Sequence, residues 1–324
     1  LYLYAPPPAN SPRFDLNQLE LSFNAAVDQD YPYFVGELSV NPTNGEIGVL
    51  QGENAPRPEF IKDEQCQLTT EDALTSLSLS LMPPARAKPQ LMKIKCSLLA
   101  DGGLAIGVDA AHCLFDGEGM FTFMQVWGQH CRGVPKADRI AVCLDHQLLA
   151  ARGVGAKLDH PEFRVPEETS TTTDSGSGDA PMGVPAATTP PPTKQRVFHL
   201  LPEKLAKLKH LVGGPSNAPD YSYVSTVDSL TALFLVLITR ARGHGKDVRM
   251  TTGVNARRRF DPPLPVNYAG NVIFNSFSSY SAAELAPKEG EGDGEPSTES
   301  LRSIARRIRA SILRRDEEFL RDAI

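Results

Sequence analysis

The pattern of hydrophobic and polar residues predicts two paired strands and a helix in the first half of the chain. Apolar and polar side chains alternate in part over residues 91–99, and residues 104–111 are mostly apolar, which is typical of strands. The Asp-Gly-Gly sequence at 101–103 predicts a hairpin turn between them. Apolar residues then recur at helical spacing as far as Gly133; they are Met120, Phe123, Met124 and Trp127. Residues 112–117 are therefore expected between the end of a strand and the start of a helix.

The second half of the chain also mixes strands and helices. Residues 196–200 and 248–254 have strand-like sequences, and a short helix is predicted from Pro202 to the glycine pair at 213–214. A longer helix over 227–242 carries Leu230, Leu233, Phe234 and Leu237 on one face. The last segment is amphipathic, with arginines opposite an apolar stripe of Leu301, Ile304, Ala305, Ile308 and Ile312. This mixture indicates an α/β protein.

Two polar segments interrupt the pattern. Residues 165–194 are rich in Pro, Ser, Thr and Gly and show no apolar periodicity, which predicts a flexible crossover linker. Residues 284–299 contain six acidic residues and one lysine, and acidic neighbours make their Gly-x-Gly-x-Gly sequence unsuitable for a phosphate. No internal repeat is visible. The prediction is two domains, residues 1–164 and 195–324, joined by the linker.

Composition narrows the class of protein. Lys and Arg total 33 against 39 Asp and Glu, a formal net charge of −6 over 324 residues, which argues against a broad nucleic-acid-binding surface. The longest apolar run is too short to span a membrane, and the first residues lack the basic start and apolar core of a signal peptide. Five cysteines without a C-x-x-C pair suit reduced thiols. We expect a cytoplasmic protein with no nucleic-acid or membrane partner.

The residues most indicative of chemistry form the sequence His-x-x-x-Asp-Gly at positions 112–117. A histidine at the end of a strand can present a ring nitrogen to a cleft and take a proton near neutral pH. Asp116 stands where the next helix begins, and Gly117 permits a tight bend. The pattern alone leaves two interpretations open, a catalytic His112 or a structural histidine beside a helix-capping aspartate.

The sequence around this motif resembles the centre of the BAHD acyl-CoA-dependent acyltransferases. That family has paired strands ending in H-x-x-x-D-G, followed by a helix with an aromatic residue and a tryptophan. Four other stretches agree with the family in order: LYLYAP, LNQLELSFNAAVDQDYPYFVGELSV, STVDSLTALFLVLITRAR and GVNARRRFDPPLPVNYAGNVIFN. The resemblance spans most of the chain, and the long polar insertions resemble a fungal member.

The chain departs from the family pattern at several places. Asn255-Ala256 replaces the Asp-Gly of the D-G-R-x-R run, and Ala269 replaces the Phe of Y-F-G-N; both changes are expected to reshape the nearby pocket. The second family signature, D-F-G-W-G, is missing, and the chain begins with Leu1. We expect a sequence truncated at both ends, with an incomplete second domain.

The resemblance implies a fold and a mechanism. The fold is the two-domain chloramphenicol acetyltransferase-like α/β fold, with mixed sheets flanked by helices and a channel between the domains. His112 would be the general base that activates a hydroxyl or amine of a small molecule for attack on acyl-CoA, with acetyl as the expected acyl group. Asp116 would pair with Arg257, which matches the family's D-G-R-x-R run, and Gly117 would support the same loop. The alternative for residues 257–259 is a solvated basic run.

CoA carries phosphates, so an acidic protein needs a local basic site to bind it. Seven basic residues and one acidic residue lie between positions 240 and 259, and Arg257 and Arg259 are candidate CoA contacts. The resemblance implies further contacts at Ser225 and Thr226, although helix-capping residues would look the same. Acyl-CoA is then a co-substrate, no cofactor is bound permanently, and the expected protein is a monomer of secondary metabolism.

Two other function classes stay open. The chain can be a non-catalytic homologue that binds CoA, or a condensation-type domain that acts on carrier-tethered substrates. Ala111 speaks against the second class, because condensation domains carry two adjacent histidines at this position. A further group contains metal-ligand residue types, but its spacing fits no zinc pattern and no metal site is predicted; its members are His130, Cys131, Cys143 and His146.

Overall fold

Two structural units make up the chain, and neither is a single continuous stretch of sequence. In the computed structural model, the described residues are 1–43, 47–76, 79–86, 90–150, 155–160, 198–214, 223–287 and 295–324. The first unit comprises Leu1–Arg152 and Asn255–Ile273, and the second comprises Gly153–Val254 and Phe274–Ile324. The chain therefore leaves the second unit after position 254 and returns to it at position 274.

The described residues of the first unit form a four-stranded sheet, a separate strand pair and three α-helices. In chain order its elements are β1 (Tyr2–Tyr4), α1 (Leu16–Asp30), β2 (Glu37–Val40), β3 (Ile47–Leu50), β4 (Glu59–Asp63), α2 (Thr70–Ser76), β5 (Met92–Leu98), β6 (Leu104–Ala110) and α3 (Gly117–Cys131). The sheet has the strand order β1-β6-β5-β4, and β2 and β3 form the antiparallel pair. β4 is parallel to β5, whereas β1 and β5 are antiparallel to β6.

The central hairpin is the element that leads to the candidate motif. β5 and β6 pair from Leu98 opposite Leu104 to Met92 opposite Ala110. Their connection places Gly102 at a φ of +89°, a conformation that favours glycine over other residues. The predicted strand pair and turn are therefore confirmed. The end of β6 leads through residue 111 directly into the motif.

An aromatic cluster packs α1 and α3 together beside this sheet. The Phe23 ring lies 6.2 Å from the Phe123 ring and 5.5 Å from the Trp127 ring, measured between centroids. The Trp127 indole nitrogen donates to the Ser22 hydroxyl at 3.0 Å, which satisfies its single polar group. The predicted helix after Gly117 is confirmed, and its apolar face is the one that the spacing predicted.

The second unit is mainly helical. Its elements are α4 (Pro202–Gly213), α5 (Thr226–Arg242), β7 (Val248–Asn255), β8 (Ile273–Tyr280), α6 (Ala282–Leu285), α7 (Thr298–Leu313) and α8 (Glu317–Asp322), with β7 and β8 forming a two-stranded sheet. Helices α4, α5 and α7 share a core whose buried members include Val212, Ala232, Leu235, Val236, Ile304 and Ile308. The predicted helices of this half and the strand at 248–254 are confirmed.

One local prediction for this half is wrong, and the buried face of α5 differs from its apolar face. Residues 198–200 form no strand. On α5 the buried residues are Asp228, Ser229, Ala232, Leu235 and Val236, whereas Leu237 of the apolar face is 37% exposed. The buried face contains polar residues with internal partners, including Asp228, whose carboxylate binds Arg309 at 2.6 Å. The face of α5 that is buried is therefore not the face with the largest apolar side chains.

Part of the predicted domain organisation remains a prediction. The predicted linker 165–194 lies outside the described residues. The segment 255–273, which the prediction assigned to the second domain, belongs to the first unit.

Among the described residues, none of the helices has the length and apolar character needed to cross a bilayer.

The aromatic cluster predicts a measurable contrast between two phenylalanines of α3. Phe123 is 0% exposed, whereas Phe121 is 59% exposed. Phe123→Ala should lower the free energy of unfolding by about 3–5 kcal/mol through lost burial and a cavity. Phe121→Ala should lower it by less than about 1 kcal/mol. Urea unfolding of both variants measures the difference, and equal losses would contradict the packing of Phe123 in this cluster.

Candidate active site

The motif occupies the turn that joins β6 to α3. The Ala111 amide donates to the Leu91 carbonyl at 2.8 Å, and the Leu114 amide donates to the Ala111 carbonyl at 3.0 Å. Asp116 then caps α3, because its Oδ1 accepts a hydrogen bond from the Gly119 amide at 2.9 Å. The turn leaves the His112 side chain exposed and buries that of Asp116.

A buried ion pair anchors this turn to the segment 255–273. Arg257 Nη1 lies 2.7 Å from Asp116 Oδ2, and the two side chains are 2% and 0% exposed. Arg257 Nη2 also donates to the Gly270 carbonyl at 2.9 Å and to the Tyr268 carbonyl at 3.2 Å. The ion pair predicted between Asp116 and Arg257 is thus present, and the solvated interpretation of Arg257 is wrong.

The environment of Asp116 favours its ionised form. Burial by itself raises the pKa of the carboxyl group, but the hydrogen bond from Arg257 and those from the amides of Gly119 and Val272 outweigh it. The pKa of Asp116 is therefore held below its usual value of 3.8. The Val272 amide contributes at 2.9 Å from Oδ2, so the carboxylate accepts hydrogen bonds on both oxygens.

The segment 255–273 is itself fixed in the first unit by backbone hydrogen bonds. The Cys143 amide donates to the Asn267 carbonyl at 3.1 Å, and the Ala269 amide donates to the Cys143 carbonyl at 2.8 Å. Gly270 has a φ of +134° and is buried. At its start, the Asn255 amide group donates to a carboxylate oxygen of Glu118 in the first turn of α3. The residue that replaces the family's Asp therefore contacts the helix after the motif.

The His112 ring meets a residue that the sequence interpretation did not assign. Asn271 Nδ2 donates to the His112 carbonyl oxygen at 2.8 Å and lies 3.2 Å from His112 Nδ1. Asn271 is the asparagine of the Y-A-G-N sequence at 268–271, which served only as a family resemblance. The sequence interpretation missed Asn271 because 159 positions separate it from His112, so the local sequence does not indicate that the two residues are in contact.

One of the four candidate CoA contacts needs correction. The Arg257 guanidinium is buried and engaged by Asp116, Tyr268 and Gly270, so it has no surface for a CoA phosphate. Arg259 of the first unit is half-buried, with its amide bonded to the Ala256 carbonyl at 2.8 Å.

Ser225 and Thr226 begin α5 in the second unit. Ser225 is the N-cap in a capping box: its hydroxyl accepts from the Asp228 amide at 3.1 Å, and Asp228 accepts from the Ser225 amide at 2.6 Å. The capping interpretation of Ser225 is therefore confirmed. A CoA contact of Ser225 or Thr226 at the start of α5 stays a prediction.

Two residues of the group with metal-ligand residue types, His130 and Cys131, have structural partners in the first unit. His130 Nε2 lies 2.6 Å from Asp30 Oδ2, and the Cys131 thiol lies 2.9 Å from the Ser22 hydroxyl. Burial is the main cause that raises the pKa of Cys131. Within the described ranges, no group of three or more His, Cys, Asp and Glu side chains is arranged to hold a metal ion. Cys113, beside His112, is exposed.

Solved structures share this fold. TRI101 of F. graminearum, in complex with coenzyme A and T-2 mycotoxin, has a TM-score of 0.67 and 15% identity, with 99% of this chain and 71% of that chain covered. TRI101 of F. sporotrichioides, complexed with coenzyme A and T-2, has a TM-score of 0.63 and 18% identity, with 99% and 70% covered. Vinorine synthase has a TM-score of 0.58 and 18% identity, with 96% and 66% covered. The predicted chloramphenicol acetyltransferase-like α/β fold is confirmed.

Sequence comparison assigns the family. The family model described as "Transferase family" matches residues 1–318, so the chain belongs to this family, the BAHD acyltransferases that its motifs predict. Omega-hydroxypalmitate O-feruloyl transferase of Arabidopsis thaliana is 28% identical over 263 residues, which are 78% of this chain and 53% of the relative. Agmatine coumaroyltransferase-1 of Hordeum vulgare is 27% identical over 297 residues, 88% of this chain and 61% of the relative. The chain spans about half the length of the first of these relatives.

The buried ion pair predicts a large stability cost when one charge is removed. Asp116→Asn keeps a residue that caps helices but leaves the buried Arg257 charge unpaired, so the free energy of unfolding should fall by about 3–5 kcal/mol. The control is Asp28→Asn, which breaks an ion pair of the same 2.7 Å length whose side chains are 49% and 53% exposed. It should cost less than about 1 kcal/mol. Urea unfolding that gives similar losses for both variants would contradict the buried pair.

The lowered pKa of Asp116 predicts how the stability loss caused by Asp116→Asn depends on pH. A carboxyl group whose pKa is lower in the folded state stabilises the protein above its unfolded-state pKa, which is about 3.9. That contribution is lost as the pH falls through the folded-state value. The stability difference between the parent chain and Asp116→Asn should therefore be constant from about pH 7 to pH 5 and shrink below about pH 4. A difference that grows on acidification would show that the pKa is raised instead.

Proposed function

We propose that this chain transfers an acyl group from an acyl-CoA thioester to a hydroxyl or amine of a small molecule. The observation that carries the proposal is that the two functional residues of the H-x-x-x-D-G motif have different environments in this member of the BAHD family. His112 is exposed at the end of β6, while Asp116 is buried against Arg257. A histidine ring is thereby exposed to a substrate, and the charge of Asp116 is already paired.

In the proposed reaction His112 is the general base. The imidazole takes the proton of the acceptor hydroxyl or amine, and the freed nucleophile attacks the thioester carbonyl. The resulting tetrahedral oxyanion collapses, the carbon–sulfur bond breaks, and the imidazolium returns its proton to the CoA thiolate. Positioned base catalysis of this kind contributes about 10²–10⁴-fold to the rate, and holding both substrates together adds to it.

Asp116 has a positioning role in this proposal. Its carboxylate holds the start of α3 through the Gly119 amide and the segment 255–273 through Arg257, and it takes no part in proton transfer. Gly117, the first residue of α3, directly follows this cap. The turn that carries His112 is thereby held between β6 and α3.

The donor and acceptor groups are the finer part of the proposal. We propose acetyl as the acyl group and a secondary metabolite as the acceptor, with Ser225, Thr226 and Arg259 as the remaining candidate CoA contacts. The curated relatives carry feruloyl and coumaroyl transfer in their names, so an aromatic acyl-CoA is the competing donor. No permanently bound cofactor is required by this chemistry.

The cellular setting is proposed from the same properties. The net charge of −6 does not favour nucleic acid as a partner, and all five cysteines are free, as expected of reduced thiols in the cytoplasm. We propose a cytoplasmic monomer whose partners are acyl-CoA and a small-molecule acceptor.

The test is turnover of free acyl-CoA, followed by thiol release, with a panel of alcohol and amine acceptors. Acetyl-CoA and p-coumaroyl-CoA are offered separately to distinguish the two donor classes. His112→Ala should reduce kcat by about 10²–10⁴-fold. The control is His199→Ala, which removes an exposed histidine of the second unit and should leave turnover unchanged.

Ligand-induced stabilisation separates the proposal from its alternatives. Coenzyme A at a hundred times its Kd should add about 2.7 kcal/mol to the free energy of unfolding. Stabilisation without turnover of either donor would indicate a non-catalytic CoA-binding homologue. Turnover only with carrier-tethered acyl groups would indicate a condensation-type domain. Equal kcat values for the parent chain and His112→Ala would contradict His112 as the base.

A further inference from the structure

The first unit contains a cavity that the proposed acyl transfer does not use. Its volume is about 550 Å³, which lies within the range of small-molecule sites. β6 contributes Leu104 and Ile106 from its first half, and α3 contributes residues of its last turns, between positions 124 and 132. The cavity therefore lies between the start of β6 and the end of α3.

This position is far from the candidate motif. Asp116 caps the start of α3, whereas Gly128 in the cavity wall belongs to its last turns. A helical rise of about 1.5 Å per residue separates these two residues by about 18 Å along the axis. Among the described residues, the lining includes none of 112–117 and none of 255–273. The cavity is thus distinct from the candidate active site.

The greater part of the lining is apolar, and three of its residues carry aromatic rings that we call the aromatic wall: Tyr4, Phe14 and Trp127. The rings of Tyr4 and Phe14 lie 6.4 Å apart, measured between centroids. The indole nitrogen of Trp127 already donates to the Ser22 hydroxyl at 3.0 Å, so Trp127 offers the cavity an apolar surface. Such a lining favours a ligand with an apolar body, because burial of apolar surface drives its transfer from water.

The charge of the cavity comes from one side chain at its edge. Among the described lining residues, Arg132 alone is charged. A Cβ atom added to Gly128 would lie 3.3 Å from Arg132 Nη1, so the guanidinium is folded back along α3 beside another lining residue. Glycine is unfavourable inside a helix, and here the absence of a side chain leaves room for the guanidinium.

The end of α3 does not cancel this positive charge. Free carbonyls at the end of a helix carry partial negative charge, but here they have amide partners. The Gly128 carbonyl accepts from the Arg132 amide at 3.2 Å, and the Gln129 carbonyl accepts from Val134 at 3.0 Å. Burial is the main cause that raises the pKa of Cys131 in the cavity lining, and the charge of Arg132 opposes it. The field of Arg132 therefore reaches the lining.

We propose that this cavity binds a small apolar carboxylic acid in its ionised form, with the apolar body against the aromatic wall and the carboxylate at Arg132. A guanidinium has only donors, in a planar arrangement that matches the two oxygens of a carboxylate. A neutral head group would leave the charge without a counter-ion, and a cationic one would be repelled. The proposal does not depend on acyl transfer, because the two sites share no residue.

The first test uses the fluorescence of Trp127, which is the sole tryptophan of the chain and lines the cavity. Decanoate titrated at pH 7.5 should change the Trp127 emission saturably. Decanol, which has the same chain without the charge, should bind about 5-fold more weakly, as expected for the loss of a partly exposed ion pair. Decyltrimethylammonium should bind more weakly still. No saturable change with decanoate, or equal Kd values for the three probes, would overturn the proposal.

The second test removes the charge. Arg132→Ala should raise the Kd of decanoate by about 5-fold and leave that of decanol unchanged, because only the carboxylate loses a partner. The control is Arg57→Ala, which removes an exposed arginine of the same unit that pairs with Asp28 at 2.7 Å; it should change neither Kd. Equal losses for decanoate and decanol in Arg132→Ala would contradict a carboxylate at Arg132.

The third test fills the cavity. In Gly128→Leu the new side chain extends toward the Arg132 guanidinium, and leucine is a better helix former than glycine. The variant should therefore fold with no loss of stability in urea, and its saturable binding of decanoate should be abolished. Unchanged binding in this folded variant would place the ligand elsewhere and overturn the proposal.

Coenzyme A distinguishes this cavity from the proposed acyl-CoA site. Saturating coenzyme A should leave the Kd of decanoate unchanged, because the cavity is remote from His112. Displacement of decanoate by coenzyme A would show that decanoate occupies the acyl-CoA site, and would overturn the proposal. If the chain neither binds coenzyme A nor turns over acyl-CoA, the proposed function fails, and the decanoate titrations still decide whether the cavity is a binding site.

Discussion

The ion pair between Asp116 and Arg257 is the interaction on which the candidate site depends. Both charges are removed from water, which costs several kcal/mol for each ion unless hydrogen bonds replace the lost solvent. Here the carboxylate accepts from Arg257 and from the Gly119 and Val272 amides, while Arg257 also donates to backbone carbonyls. The pair joins residues 141 positions apart, so it connects the start of α3 with the segment 255–273.

This arrangement separates structural and chemical roles within one short motif. Asp116 is neutralised in the interior, where its position is defined by several partners. His112, four residues earlier, stays accessible and contacts the neutral amide of Asn271. Pairing with Arg257 therefore fixes Asp116 in the interior, while the His112 ring remains exposed.

The elements that could be predicted are those with a strong local signal. The β5–β6 hairpin was predictable from alternation and a glycine turn, α3 and α4 from apolar spacing and end signals, and α7 from apolar spacing. The buried face of α5 was not, because Asp228 and Ser229 lie within it and their burial depends on Arg309 and Ser225. Residues 198–200 have a strand-like sequence, but a strand needs a partner in a sheet, which local sequence does not specify.

For the site, the sequence by itself determined the motif, the family and the partner of Asp116, because these depend on residue types in a fixed order. Tertiary structure decided three further points. It enclosed Arg257, which removes that residue as a phosphate contact; it assigned the segment 255–273 to the first unit; and it brought Asn271 to His112. Each of these depends on contacts between segments more than 100 residues apart in the chain. Local periodicity has no information about such contacts, since it reports only which face of an element is apolar.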